Sequence, residues 1–490
     1  MDRIIPVVIV VAYIAATIVI GMLYVRRQKN TKTYFVAGRA MPAIMVGALL
    51  FGESVAGAGT VGSAATAFKI GLTSVWANWG LAIGCVVFLI FVSKFIYTMG
   101  VMKGCMSVPE VFRQFFDTRC RLVMLINIAV VYFIFFSIQA PAAASILSPL
   151  LGSPLVPTII VFAALFVGLA IFGGIQGVAA MNILNSVIMI GGMAIVMFKS
   201  VAYVGGFSEL YASVPRSYFS VMQPDAWTAS AQGLGAAIGC IGSAVLAGAV
   251  FSAKSLKSAY KGILSGSVII PFALIPAVIG IAASVAIPDA PANSALYLMA
   301  QKLGPVYSGL ISMAVLAAIM DSAGMLLIVT TTLTRDLYKP YFNPNATDKQ
   351  MMTFARVMAV IIGITGTWFG MGASSILGTL LGAFQIRSIV GLVLLVAALW
   401  PRVTKEAAFW SMLVGGVLAA FWFFAGNPFG MQPLWPGAAV TLIILIVMSK
   451  LSKDAISPGY AMYMELREKM KLQGAPQETA DSGYDTTAAG

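Results

Sequence analysis

Uncharged apolar stretches of about twenty residues recur along this chain from residue 4 to residue 451, parted only by short polar or Gly/Pro breaks. An α-helix needs about that length to cross the roughly 30 Å hydrocarbon layer of a bilayer. With 60% hydrophobic and only 10% charged residues among 490, the chain has more apolar surface than a water-soluble domain can hide. The expected fold class is an all-α polytopic membrane protein with about thirteen transmembrane helices. The runs are read as 4–25, 42–70, 74–98, 121–148, 155–172, 178–203, 229–252, 260–287, 304–334, 352–371, 376–400, 405–425 and 434–451. The first, "IIPVVIVVAYIAATIVIGMLYV", exceeds a signal-peptide core and precedes no small-residue cleavage site, so it is expected to remain as a span.

Net charge is +13. On a soluble protein that would raise nucleic acid as a partner. Here the basic residues sort by loop. With the N-terminus outside, the inner segments hold twenty-three Lys and Arg, and the outer ones only Arg3, Arg216 and Lys302. That bias sets orientation, so the C-terminus is expected in the cytoplasm and no nucleic acid is expected. The four cysteines (Cys85, Cys105, Cys120, Cys240) lack metal-ligand spacing and there is no histidine. Metal centres, haem and catalytic triads are therefore not expected, the thiols are read as free, and the chain is not read as an enzyme. The polar tail, 456–490, is expected to be disordered.

Inside the predicted spans, charge is scarce. Of seventeen acidic residues, Glu53 and Asp321 alone lie well within spans, and Arg387 is the one cation near a span centre. Lys69, Lys94 and Lys199 lie near span ends, where they can snorkel to the interface. A charge at mid-bilayer costs roughly 2.5 kcal/mol or more and usually faces a cavity or a partner. Two uses are open: Arg387 pairs with Glu53 or Asp321 to hold helices together, or these groups meet a solute or ion.

Glu53 sits in "FGESVAGAGTVGSAA", with Gly47, Gly52, Gly57, Gly59 and Gly62 in or just before that stretch. Each glycine disfavours helix by about 1 kcal/mol relative to alanine. Such a run serves either close helix packing or a broken helix whose carbonyls face a cavity. A second Gly-rich stretch, "QGLGAAIGCIG" (232–242), opens the seventh span. The two lie five spans apart. An odd separation inverts the second unit relative to the first, as in transporters built from inverted repeats.

Asp321 lies in "LAAIMDSAGMLL" (316–327), far in sequence from other charge. On a helix, Ala318, Asp321 and Ser322 share a face. A freed carbonyl, a carboxylate and a hydroxyl there would present three oxygens together, which suits a hard cation such as Na+. Carbonyls of the broken second span would complete the cage, and the carboxylate would neutralise the ion.

The stretches "YFVAGRAMP" (34–42), "FGGIQGVAAMNILNSV" (172–187), "AAIMDSAGMLLIVTTTLTRDLYK" (317–339), "WPRVTKEAAFWSMLVGG" (400–416) and "GMQPLWPGAAVTLIILIVMSKL" (430–451) resemble the sodium:solute symporter family over about residues 1–455. The resemblance implies a LeuT-type fold: a five-plus-five inverted-repeat core (42–203 and 229–400), one extra N-terminal helix with the first cytoplasmic loop (1–41) and two C-terminal helices (401–455). It implies sodium ligands at Gly52 and Val55 (carbonyls), Ala318 (carbonyl), Asp321 and Ser322. Most family members carry serine or threonine where Asp321 stands. The "DS" pair is similar to one used by neurotransmitter:sodium symporters, which suggests a stronger or more proton-sensitive site. Members with an additional sodium have aspartate where this chain has Asn182, so one Na+ is expected rather than two. The match requires a one-residue deletion after Ser322.

The expected function is Na+-coupled symport of a small organic solute, an amino acid, carboxylate or similar, by alternating access in a bacterial inner membrane. Solute candidates are Glu53, Gln139, Gln232, Gln385 and Arg387, Gln139 being equally open to an interhelical hydrogen bond. Glu53 would suit an amine, and Arg387 a carboxylate that it can grip bidentately. Two alternatives stay open: proton coupling through Asp321 or Glu53, whose pKa burial can raise, and a non-transporting membrane sensor. No protein partner is evident beyond the lipid bilayer.

Overall fold

The computed structural model describes residues 4–25, 39–266, 269–320, 323–373 and 375–472, and the described residues form helices with no strand. Among the described residues nine helices are long and apolar enough to cross a membrane, and shorter apolar helices occupy Ile4–Thr17, Ala43–Gly52, Leu155–Gly168 and Pro271–Ala286. Helix is what the low-dielectric setting dictates, because each backbone N–H and C=O must be satisfied within its own segment.

Most expected spans appear at their expected places: Ile4–Val25, Trp76–Phe91 continuing as Ser93–Lys103, Asp348–Met371, Ile376–Leu399, Lys405–Phe424 and Leu434–Leu451. One difference is that Leu155–Tyr203, expected as two spans, is helical over all its 49 residues. A straight helix of that length would measure about 74 Å. Yet both its ends sit at one side of the bundle. The Leu155 end adjoins the end of the fourth span, where Ser294 bonds the Ser145 carbonyl, and the 292–303 segment touches the Ser63–Ile70 helix. Near the Tyr203 end, Val201 packs with Ala67 and Val75. Both ends of the range thus lie near the Ser63–Ile70 helix.

The two spans singled out for their glycines are both broken. The second runs as Ala43–Gly57, a π-turn Ala58–Gly62 and Ser63–Ile70, with Ala56 far from helical geometry (φ 19°, ψ −172°). The seventh runs as Ala226–Ile241 and Ala244–Ser252, with the chain extended at Ser243 (ψ 125°). The start of the second span and the end of the seventh are joined by Met41 N–H to Ser252 O (2.9 Å) and Lys254 N–H to Met41 O (3.0 Å). One enters where the other leaves, so the broken spans run in opposite directions, as the odd spacing predicts. At the opposite end, the 204–225 segment folds over the second and third spans. Trp76 Nε1 donates to Val221 O (2.7 Å), and Gly71, at φ 80°, lets the Tyr218 backbone approach where a Cβ would collide.

The end of the bundle bearing Met41 is pinned by buried charge. Arg121 Nη2 lies 3.0 Å from Asp336 Oδ1, both nearly solvent-free, and Ser107 Oγ donates to Asp336 Oδ2 at 2.7 Å. Arg335 pairs with Glu110 at 3.1 Å. Cys105 beside them is buried, which pushes its thiol up to about 12, so it is not a reactive thiolate near neutrality.

The tail reading needs correction. Residues 456–490 were expected to be disordered, but Pro458–Leu472 is a helix. Its Tyr463 packs edge-on to Phe95 at 5.0 Å, Leu466 is buried, and Gly459 fits against the Phe115 carbonyl. Composition averages hid this: Tyr460, Tyr463 and Leu466 recur at three-residue steps on one helical face. Residues 473–490 lie outside the described residues.

Breaking the buried pair tests the pin. Arg121→Gln should lose roughly 3–5 kcal/mol by stranding the Asp336 carboxylate, whereas Arg121→Met with Asp336→Met should recover most of that loss. Unfolding midpoints of the single and double variants in detergent measure both.

Candidate functional site at the two helix breaks

Breaking a helix in a membrane frees backbone groups that water cannot reach, and each must find a partner. At the second-span break, Gly57 N–H donates to Gln139 Oε1 at 3.1 Å, while Gln139 Nε2 donates to the Phe135 carbonyl at 2.8 Å. Thr60 Oγ1 donates to the carbonyls of Ala56 (3.0 Å) and Gly57 (3.2 Å), and Asn78 Nδ2 lies 3.4 Å from Gly59 O. The side chains of Gln139, Thr60 and Asn78 are all buried where polar atoms are otherwise rare.

The seventh-span break is held in a parallel way. Ser243 Oγ accepts from Leu246 N–H (3.1 Å) and so caps the second half of the span. Tyr132 Oη shares a hydrogen bond with Ser243 Oγ (3.2 Å) and accepts from Val245 N–H (3.2 Å). Arg387 Nη1 donates to the same hydroxyl at 3.3 Å. The guanidinium, 1% exposed, lies over Phe135 and Phe384 at 5.1 Å each and over Tyr132 at 5.9 Å. Such aromatic faces attract a cation electrostatically, most strongly when it is desolvated.

Both breaks therefore hang on the fourth span. Tyr132 and Gln139 are seven residues apart, two turns, on one face. The span itself has a seam at Ile138, between Thr118–Ser137 and Gln139–Leu151. Pro141 has no N–H to give to the Ser137 carbonyl, and Gly370 lets its own helix close onto that carbonyl.

The ninth span meets the second-span break directly. A Cβ added to Gly57 would lie 2.9 Å from Ile319 Cγ1 and 3.0 Å from Gln139 Oε1. Gly52 and Val55 are buried in the last turns before the break, and Ala318 is buried near the end of Pro305–Met320. Three of the five residues expected around Na+ thus flank one junction. Asp321 and Ser322 lie outside the described residues, as does the side chain of Glu53, and so does any pairing of Glu53 or Asp321 with Arg387. Asn182 is buried, its Nδ2 3.5 Å from the Ala48 carbonyl.

The solute candidates divide. Gln139 and Arg387 belong to the break network. Gln385 does not: its Oε1 accepts from Leu434 N–H and its Nε2 donates to Gln432 Oε1, both 3.1 Å, which ties the eleventh span to the last. Gln232 is half-buried and sits ten residues, about 15 Å of helix, from the break at Gly242. Sequence reasoning missed Tyr132, Ser243 and Thr60. A tyrosine inside an apolar span needs a partner for its hydroxyl, and Tyr132's place two turns before Gln139 was the available signal.

Removing either clamp should loosen its break without unfolding the bundle. Gln139→Leu strands Gly57 N–H and should cost about 1–3 kcal/mol. Tyr132→Phe removes a hydroxyl that serves three groups and should cost a similar amount. Gln139→Glu keeps the acceptor and should lose less than Gln139→Leu. Thermal unfolding and cation-dependent stabilisation of each variant read the two effects separately.

Comparison with known proteins agrees with this architecture. The family model "Sodium:solute symporter family" matches residues 34–415. A sodium/glucose cotransporter of Vibrio parahaemolyticus is 26% identical, covering 90% of this chain and 89% of its own length. The osmoregulated proline transporter OpuE of Bacillus subtilis is 22% identical, covering 94% and 97%. Among solved structures, a Na+-coupled sialic acid symporter in a substrate-bound outward-open state superposes with TM-score 0.79 at 17% identity, over 92% of this chain and 98% of that one. A broken-helix core, matched along most of the chain to one family, places this protein in the sodium:solute symporter family.

Proposed function

We propose that this chain couples inward movement of one Na+ to uptake of a small organic solute, by alternating access, with the ion at the junction of the second and ninth spans. Sodium-coupled symport is the activity that the family and its transporter relatives support. The observation that carries the siting is the abutment of Ile319 on Gly57, two residues before Asp321 and one residue after a backbone break. The ligands are Gly52, Val55 and Ala318 carbonyls, the Asp321 carboxylate and the Ser322 hydroxyl. A carboxylate among carbonyls suits a hard, oxygen-seeking cation.

The solute pocket lies between the two breaks, with Arg387 as the fixed cation and Glu53 as the candidate acid. Arg387, held by the rings of Phe135, Phe384 and Tyr132 and by the Tyr132 hydroxyl, supports a solute bearing a carboxylate, such as an amino acid. The proline transporters among the relatives fit that chemistry. Residues 42–203 and 229–400 form the inverted units, and the loop charges support an outer N-terminus and a cytoplasmic C-terminus in the bacterial inner membrane.

A second reading has one observation in its favour: the carboxylate at Asp321, where most of the family carries a hydroxyl residue. In that reading Asp321 or Glu53 titrates and a proton replaces Na+.

Thermal stability in sodium against potassium at equal ionic strength separates the two. A cation that binds only the folded state at a hundredfold its Kd adds about 2.7 kcal/mol. The expected result is sodium-specific stabilisation of wild type that Asp321→Asn abolishes. No sodium effect at several pH values, with Asp321→Asn more stable than wild type, would establish proton coupling instead.

A further inference from the structure

The Met41 end of the bundle carries a cavity of about 400 Å³. Four cations line it: Arg113, Arg121, Arg335 and Lys339. Glu110 and Asp348 also line it, and Asp336 lies behind. Arg121 and Arg335 are committed to Asp336 and Glu110. Arg113 and Lys339 are exposed and make no ion pair among the described residues. They come from separate elements, Val108–Phe115 and the π-helix Thr334–Phe342, and face one hollow.

The same π-helix ends in two exposed aromatic residues, Tyr341 at 46% and Phe342 at 72%. Exposed aromatics beside cations, at the end of a spanning helix, mark the level of the lipid headgroups. A pocket of basic side chains at that level, between helix ends, suits the phosphate of an anionic headgroup. Arginine offers a planar fork of donors to phosphate oxygens, and lysine a point charge.

We propose that this cavity binds a phosphate-bearing anion, with Arg113 and Lys339 supplying the free charge and the Arg335–Glu110 pair forming one wall. Occupancy would bridge the 108–115 helix to the end of the ninth span, and so tie together the elements that the Glu110–Arg335 pair already joins. The proposal does not depend on which solute or ion is carried.

The test uses the full chain in detergent, wild type against Arg113→Gln with Lys339→Gln. Thermal stability is titrated with phosphatidylglycerol, with phosphatidylcholine and with inorganic phosphate at matched ionic strength. Each basic side chain near an anionic lipid surface is worth roughly fivefold in binding, so the double variant should bind phosphatidylglycerol about thirtyfold more weakly. Both residues are exposed, so the variant should melt with wild type in phosphatidylcholine. Stabilisation by phosphatidylglycerol alone that the variant loses assigns the site to a lipid headgroup. Equal stabilisation by inorganic phosphate, also lost in the variant, assigns it to the free anion. Stabilisation that persists in the variant, or none with either ligand, overturns the proposal.

Discussion

The hydrogen bond from Gly57 N–H to the Gln139 amide decides much of the rest. Interrupting a helix at mid-bilayer exposes donors and acceptors that water would otherwise satisfy, and lipid offers no substitute. The break at Ala56 persists because Gln139, Thr60 and Asn78 take up the groups it frees. The seventh-span break persists because Ser243 and Tyr132 do the same. Those side chains hold the backbone open at both breaks.

The fourth span is accordingly the fixed post of the molecule. One of its faces carries Tyr132 and Gln139, and between them Phe135 lends a ring to Arg387 and a carbonyl to Gln139. Motion of either broken span relative to this post must exchange those hydrogen bonds for others. At the Met41 end, the same span begins at the Arg121–Asp336 pair, which joins it to the end of the ninth. The post is thus anchored at one end by charge and along its length by amide and hydroxyl groups.

Outside the core, the last two spans pack on small residues. Gly415 faces Thr441, and a Cβ on Gly437 would come 2.9 Å from the Cβ of Ala419. Close backbone approach of this kind replaces the hydrophobic drive that lipid cannot supply. Gln385 joins this pair to the eleventh span through both ends of its amide. The Pro458–Leu472 helix then folds onto the 93–115 region beside the charged cavity.

The sequence alone determined the membrane setting, the places of nearly all spans and the two broken helices, because these follow from local quantities: apolar length and glycine density. It also marked Gln139 and Arg387, since a polar group inside an apolar run stands out. Which polar groups meet was settled only by tertiary structure. Gln139, Gln232 and Gln385 look alike in sequence, yet one clamps a break, one lies about 15 Å of helix away, and one fastens the C-terminal spans. The partner of Tyr132 is 111 residues away in sequence, and no local pattern encodes such a pairing. The 458–472 helix was missed for a related reason: its face is buried by residues near 95 and 115, and without them its composition reads as a solvated tail.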